Sequence, residues 1–248
     1  MTKNIRLYFC FVGLVVPLFG CETIEEDSGE EAITAAIGEV AVSSQDSMDY
    51  EGAADRYHRL YEREPDNIDA LIGFARNLRY AGRPRLAIRA LREGLDLHGE
   101  LTVLLVEMAK DQLAASLIAD ADESLARARA TAPNNWEVHA LNGILRDRVG
   151  DFETAHTEYR LALKLSPGNI SVLNNMALSL AQAGRIDSAI EMLEPVARGE
   201  NSTVQTRQNL ALLYALSGDV ASAAPLVGGD LPADVAQENL AAYRRLHE

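Results

Sequence analysis

Residues 136–169 read WEVHALNGILRDRVGDFETAHTEYRLALKLSPGN, and this one stretch decides the fold. Apolar and small residues recur at helical spacing on both sides of Gly150-Asp151, so two amphipathic helices joined by a tight turn are expected. Helix A runs to about Val149. Gly150 follows it at the position where positive φ costs a glycine little, and Asp151 is placed to cap helix B. Gly143 and Ala155 are small, which lets the two helix axes approach closely. Tyr159 and Ala162 are left to face the neighbouring pair. Pro167 stops helix B, and Asn169 is placed to cap whatever helix comes next.

The same unit recurs up and down the chain at steps of 34 residues. Ala53, Ala87, Ala121, Ala155, Ala189 and Ala223 form one ladder. Ala41, Ala75, Ala109, Gly143, Ala177 and Ala211 form a second, all small. Tyr57, Leu91, Leu125, Tyr159, Leu193 and Val227 form a third, all large and apolar. Gly82, Gly150, Gly184 and Gly218 mark a turn on this period, and Pro65, Pro133 and Pro167 mark another. A 34-residue helix–turn–helix period is the tetratricopeptide signature, in which each pair buries its second face only by stacking on its neighbours. The expected fold is therefore all-α, a tetratricopeptide-repeat solenoid of about six helix pairs beginning near residues 34, 68, 102, 136, 170 and 204. Residues 233–247 read as a final amphipathic helix, with Ala236, Leu240 and Tyr243 on one stripe, capping the open end.

Departures from the repeat carry expectations of their own. Ser116 replaces glycine at the third turn. Pro84 suits the first turn of its helix. Pro195 should kink or shorten helix B of the fifth unit, and Pro225 with Gly228-Gly229 should truncate that of the sixth.

The N-terminal end has a different character. The run Leu7 to Phe19 is too short to span a bilayer but fits a secretory apolar region, with Lys3 and Arg6 in front of it. Its end, Leu18-Phe19-Gly20-Cys21, resembles the bacterial lipobox, although Phe19 stands where that pattern has a small residue. The resemblance implies cleavage before Cys21 and a diacylglyceryl anchor on its sulfur. Two acyl chains meet the requirement for stable attachment. Glu22, rather than aspartate, follows the cysteine, which favours the periplasmic face of the outer membrane. Domain boundaries follow: 1–20 signal peptide, 21–33 acidic tether, 34–248 repeat domain. Six of the ten residues from Glu22 to Glu31 are acidic, so this stretch has too little apolar surface to order itself.

Composition narrows the function. The chain carries 23 Lys+Arg against 37 Asp+Glu, and without Lys3 and Arg6 the balance is 21 against 37, a net charge of −16. A surface this acidic argues against nucleic acid and against adsorption to anionic lipid, so membrane attachment falls to the lipid. With Cys10 inside the leader, Cys21 is the one cysteine of the processed chain, and no CxxC site exists. No GxSxG, GxGxxG, Walker A or HExxH motif occurs. No metal, cofactor or small-molecule substrate is expected. His58, His98, His139, His156 and His247 fall at unrelated repeat positions. His139 takes a place usual for a large apolar residue, His156 reads as a surface residue of helix B, and Trp136 reads as packing.

Three stretches are more specific than the fold. RQNLALLYALSGDVASA (207–223), DLPADVAQENLAAYRRL (230–246) and LNNMALSLAQAGRIDSAIEML (173–193) resemble the TadD proteins, tetratricopeptide lipoproteins of the tight-adherence machinery that assembles Flp-type pili. The resemblance implies a lipid-anchored assembly factor, a pilotin acting on the outer-membrane secretin or another pilus-assembly component. A periplasmic adaptor or chaperone for a different envelope machine uses the same design. An enzyme with a cryptic site is the weakest reading, since no catalytic constellation is present.

In stacked tetratricopeptide units helix A lines the concave groove, and its positions 2, 5, 6 and 9 point broadly inward. In the fifth unit these are Ser171, Asn174, Asn175 and Leu178, and in the sixth Gln205, Gln208, Asn209 and Leu212. Asn175 and Asn209, one repeat apart, are suited to pairing with the backbone of an extended peptide, since an amide both donates and accepts. Leu178 and Leu212 would supply an apolar floor. The alternative is that both asparagines are common repeat residues bonded within their own repeat.

Overall fold

The computed structural model describes residues 49–245. The leader, the lipidation at Cys21, the tether and helix A of the first unit, all expected from the sequence, lie outside the described residues, as does His247.

Twelve α-helices are present among the described residues: α1 Tyr50–Arg63, α2 Ile68–Tyr80, α3 Pro84–His98, α4 Thr102–Ala114, α5 Ile118–Thr131, α6 Trp136–Arg148, α7 Phe152–Leu165, α8 Ile170–Gln182, α9 Ile186–Ala197, α10 Val204–Leu216, α11 Val220–Asp230 and α12 Ala233–Arg245. The A helices α2, α4, α6, α8 and α10 start at residues 68, 102, 136, 170 and 204, on the expected register.

The reasons are local. Asn67 Oδ1 accepts from the Ala70 amide at 2.9 Å, Asn135 Oδ1 from Glu137 at 2.9 Å and Asn169 Oδ1 from Val172 at 3.2 Å, so three A helices begin at an asparagine cap. Asp151 caps α7 through the Thr154 amide at 3.2 Å. At the A–B turns Gly82, Gly150, Gly184 and Gly218 all have positive φ, +72° to +89°. Ser116 holds the equivalent place in the third unit with φ +58°, the one non-glycine residue with positive φ among those described.

The chain divides into two compact units at Gly150-Asp151. Within the first, α1 to α6 each pack on the next helix, and the A helices α2, α4 and α6 also touch in sequence. Its core is built on Leu71, Leu78, Leu91, Leu104 and Met108. Within the second, α7 to α12 pack in the same serial way, and here α8, α10 and α12 form the continuous inner layer. Ala211, Leu212, Val227 and Tyr243 sit in its core. In each unit the B helices meet only the helices flanking them in sequence.

The ladders explain this packing. Ala87, Ala121, Ala155, Ala189 and Ala223 are completely buried, as are Ala75, Ala109, Ala177 and Ala211. Leu91, Leu125, Tyr159, Leu193 and Val227 are at most 1% exposed. Tyr57 departs from its ladder at 40% exposed. Its ring lies against Gly73, where an added Cβ would fall about 2.5 Å from it.

Two expectations about proline and glycine resolve differently. The α9 helix continues through Pro195 but ends at Ala197 after 12 residues, shorter than the 14- and 15-residue helices α7 and α3. The α11 helix is the shortest described, 11 residues, but its end is not at the glycines. It runs through both glycines to Asp230. Tertiary packing overrides propensity here, because Ala223 and Val227 are fully buried on the repeat register. The end is held by Arg207, whose guanidinium forks onto both carboxylate oxygens of Asp230, at 2.7 Å and 2.5 Å.

Candidate functional site

The inner helices of the second unit carry the groove residues named from the sequence. Ser171 is exposed, and Asn175 and Gln205 are half-buried. Asn174, Gln208 and Asn209 are buried polar groups, and Leu178 and Leu212 are 8% and 7% exposed. The structure thus sorts the eight into three that reach solvent and five that sit in the layer beneath them.

Beneath the surface the polar groups satisfy one another across the repeat boundary. Asn174 Nδ2 donates to Thr206 Oγ1 at 3.0 Å, and Asn209 Nδ2 donates to Asn174 Oδ1 at 3.0 Å. Thr206 is in turn 2.9 Å, hydroxyl to hydroxyl, from Thr203, which caps α10. The network joins α8 to α10. Gln208 Nε2 donates to the Leu226 carbonyl at 3.3 Å, while its buried Oε1 has no partner. Asn175 takes no part in this network.

In the first unit the corresponding layer is ionic. Arg79 of α2 donates to Asp111 Oδ1 at 2.7 Å and Glu107 Oε2 at 2.9 Å on α4. Lys110 bridges Glu107 at 2.8 Å and Glu137 of α6 at 2.6 Å, and Arg76 approaches Glu107 at 3.4 Å. Glu107 stands two repeats before Asn175 on the same ladder position. Burial works against the charges of Arg79, Glu107 and Asp111. At Glu107 it is outweighed by Lys110 and Arg79, which hold the carboxyl below the ordinary range. At Asp111 burial prevails over Arg79 and pushes the pKa up to about 7. Asp111 Oδ2 and Arg79 Nε are buried without partners.

Sequence reasoning missed this cluster. Its signal was present: three charges, Glu107, Lys110 and Asp111, within five residues on an A helix whose counterpart in the fifth unit, 175–179, is uncharged.

His156 is a correction. It is not a surface residue but 2% exposed, beside the fully buried Ala155 on the arc of α7 that packs on α8. Its ring donates to the Ser179 backbone carbonyl, and its Nε2 has no partner. His139 is also buried and makes a 3.0 Å contact from Nε2 to the Pro133 carbonyl. Trp136 is half-buried at the start of α6. Among the described residues no group of three metal-ligating side chains converges, and no helix is long and apolar enough to cross a membrane.

No family model matches the sequence. It is similar to "Tetratricopeptide repeat protein 8" of Caenorhabditis elegans, 29% identical over 146 residues, which is 57% of this chain and 28% of that protein. The chain therefore spans well under a third of the curated relative's length. The crystal structure of TTC0263, a thermophilic TPR protein of Thermus thermophilus, matches with a TM-score of 0.62 at 19% identity, over 70% of this chain and 97% of that one. The Cut9–Hcn1 hetero-tetramer of the APC/C matches with a TM-score of 0.66 at 16% identity, over 89% and 43%. Yeast Tom70 matches with 0.60 at 16% identity, over 88% and 46%. The chain has the tetratricopeptide-repeat solenoid fold.

Proposed function

We propose that this protein is a lipid-anchored, protein-binding scaffold of the bacterial envelope. In this reading it is a pilotin that assists assembly of a Flp-type, tight-adherence pilus through the outer-membrane secretin. The observation that carries protein binding is the inner layer of the second unit. Its amides and threonines are bonded beneath the surface, and Ser171 and Asn175 of α8 reach solvent above them. Stacked helical repeats present extended surfaces of this kind to polypeptides. The pilus assignment rests on the resemblance of 173–193, 207–223 and 230–246 to TadD proteins, and the anchor on the Leu18–Cys21 junction. Nothing in the chain suggests catalysis, so its role is to hold a partner rather than transform one. A periplasmic adaptor or chaperone for another envelope machine is the runner-up.

Two measurements test this reading. Cys21→Ser should move the protein out of the outer-membrane fraction and alter its electrophoretic mobility. Retention there with unchanged mobility would remove the lipid anchor. Capture by the soluble tail of a candidate outer-membrane secretin should weaken roughly tenfold in a Ser171→Ala, Asn175→Ala variant, since lost hydrogen bonds contribute about 0.5–1.5 kcal/mol each. Unchanged capture by a folded variant would exclude the inner face as the binding surface.

A further inference from the structure

The outer side of α3 carries a charge pattern that none of the later B helices repeats. Arg85, Arg89 and Arg92 are exposed and fall on a single helical stripe, opposite the buried Ala87, Ile88 and Leu91. The same three repeat positions are Ala, Glu and Ala on α5, Glu, Thr and Arg on α7, and Asp, Glu and Glu on α9. Acidic residues enter α3 only at Glu93 and Asp96, so about its first two and a half turns are cationic. Arg85 and Arg89 stand four residues apart with like charge, which a helix resists. None of the three arginines has an ion pair or hydrogen bond among the described residues. In a chain with 37 acidic and 23 basic residues, this is a stripe of cations without its counter-charge.

The chain enters the described residues beside this stripe. Arg83, the residue before α3, pairs with Glu51 in the first turn of α1 at 3.8 Å. The rings of Tyr50 and Tyr80 lie 5.1 Å apart where α1 packs on α2. The start of α1 is thereby held at the start of α3. Seventeen residues, 32–48, separate that point from the segment Glu22–Glu31, which carries six acids and no base. A stretch of that length reaches about 20–25 Å as a coil and about 25 Å as a helix, and α3 is about 22 Å long. The acidic segment is therefore within reach of the whole stripe.

We propose that the outer arginine stripe of α3 is the docking site of the chain's own acidic segment, Glu22–Glu31. Carboxylates of the segment accept from the guanidinium forks of Arg85, Arg89 and Arg92 in place of water. Exposed pairs of this kind are individually weak, but the joining chain holds the segment at an effective concentration on the order of millimolar, so several together populate the docked state. The stripe is on the outer side, and the inner faces of the A helices stay open. Docking keeps Cys21 close to α3, and release lengthens the span between them. The inference needs only the charges of residues 22–31 and is independent of lipidation at Cys21.

An anionic membrane is the other negative surface that such a stripe could meet. Two observations favour the segment. The Glu51–Arg83 contact delivers it at short range, and the net charge of −14 sets the chain as a whole against an anionic lipid face. Because the arginines are exposed, salt controls the attraction. The screening length falls from about 30 Å at 0.01 M ionic strength to about 3 Å at 1 M, so docking is strongest in dilute buffer and is lost at high salt.

The test is digestion of the full chain by a glutamyl endopeptidase, with cuts inside residues 22–31 followed by mass. At about 10 mM salt, wild type should be cut there about fivefold more slowly than an Arg85→Gln, Arg89→Gln, Arg92→Gln variant, since cleavage tracks the undocked population. At about 0.5 M salt the two should be cut alike. Lysine at the same three positions keeps the charge and should keep the slower cut. A free peptide ETIEEDSGEE, digested separately, corrects for the effect of salt on the protease. Relative to that peptide, wild type alone should be cut about fivefold faster at the higher salt, a reading that needs no variant. The proposal is overturned if wild type and the glutamine variant are cut alike in dilute buffer, if their difference survives high salt, or if the lysine variant is cut as fast as the glutamine one. Equal cutting, with phosphatidylglycerol vesicles binding wild type more than the glutamine variant, would overturn it by assigning the stripe to a lipid surface.

Discussion

Arg79 Nη1 lies 2.7 Å from Asp111 Oδ1, joining α2 to α4 where both side chains are at most 3% exposed. A buried pair of this kind does not guarantee net stability, because desolvation opposes the Coulomb gain. Its value to the fold is register. Arg79 reaches two carboxylates one helical turn apart, Glu107 and Asp111, so α4 cannot slide along α2 without unpairing a buried charge. Removing the cation leaves Asp111 buried without its partner while Glu107 keeps Lys110, and Arg79→Met should cost about 3–5 kcal/mol in urea unfolding.

Asp111 also makes stability depend on pH. Its folded pKa, about 7, lies above the ordinary carboxylate value. A group raised in this way contributes stability that is present at low pH and is lost as pH rises through the folded pKa. The Glu107 shift has the opposite sign, and its contribution is lost only below the ordinary carboxylate range. Between pH 5 and pH 8, then, Asp111 is the member of the cluster that changes state. Wild type should lose on the order of 2 kcal/mol across this window relative to Asp111→Asn. Urea midpoints for both proteins at the two pH values decide it, and parallel curves would contradict a protonated Asp111.

Ser116 occupies a conformation that its four counterparts fill with glycine, at φ +58°. A side chain in the left-handed region costs roughly 1–2 kcal/mol, and the greater freedom of an unfolded glycine returns about half of that. Ser116→Gly should therefore raise stability by about 0.5–1 kcal/mol, read as a higher thermal midpoint. A lower midpoint would mean the serine side chain supplies something the turn needs.

How much of this was legible beforehand depended on whether a position forces a residue type. Gly150, Asn169 and Ala155 are set by positive φ, an unsatisfied helix end and a close helix approach, and each demand excludes most alternatives. Repetition every 34 residues then made the register of the A helices readable to the residue. The polar interior was not readable in the same way. Asn174 and Asn209 are 35 residues apart and Arg79 and Asp111 are 32 apart, so neither pair falls on the period that organised the rest. Charges and amides on a helix ordinarily read as solvated, and only the packing of a second A helix beside the first hides them. His156 was misplaced for a related reason: it borders the buried alanine ladder, and which side of that border is covered depends on α8. Gly228-Gly229 misled because local propensity argued against helix where buried neighbours enforced it.

The alanine ladder itself can be tested at Ala155, which has no exposed surface. Leucine there adds three carbons where α7 is already sealed. Overpacking typically costs about 1–3 kcal/mol, and the interfaces on which serial repeats depend should loosen with it. Ala155→Leu should lower the thermal midpoint and broaden the transition. Serine at the same place, nearly isosteric, should cost less. A leucine variant as stable as wild type would mean that this face of α7 is open.

The amide network between α8 and α10 gives a sharper expectation, because its members depend on one another. Asn174 accepts from Asn209 Nδ2 and donates to Thr206, both at 3.0 Å, and all three residues are at most 5% exposed. Asn174→Ala removes both bonds and leaves the Asn209 Nδ2 buried without its acceptor. An unsatisfied buried group costs about 1–3 kcal/mol, more than the bond itself contributes. The single variants Asn174→Ala and Asn209→Leu should each destabilise, but their combination should cost less than the sum, since the second substitution removes the group the first had stranded. Urea unfolding of the two singles and the double closes that cycle. If the costs simply add, the two asparagines are independent, and the link between α8 and α10 must lie in the apolar contacts alone.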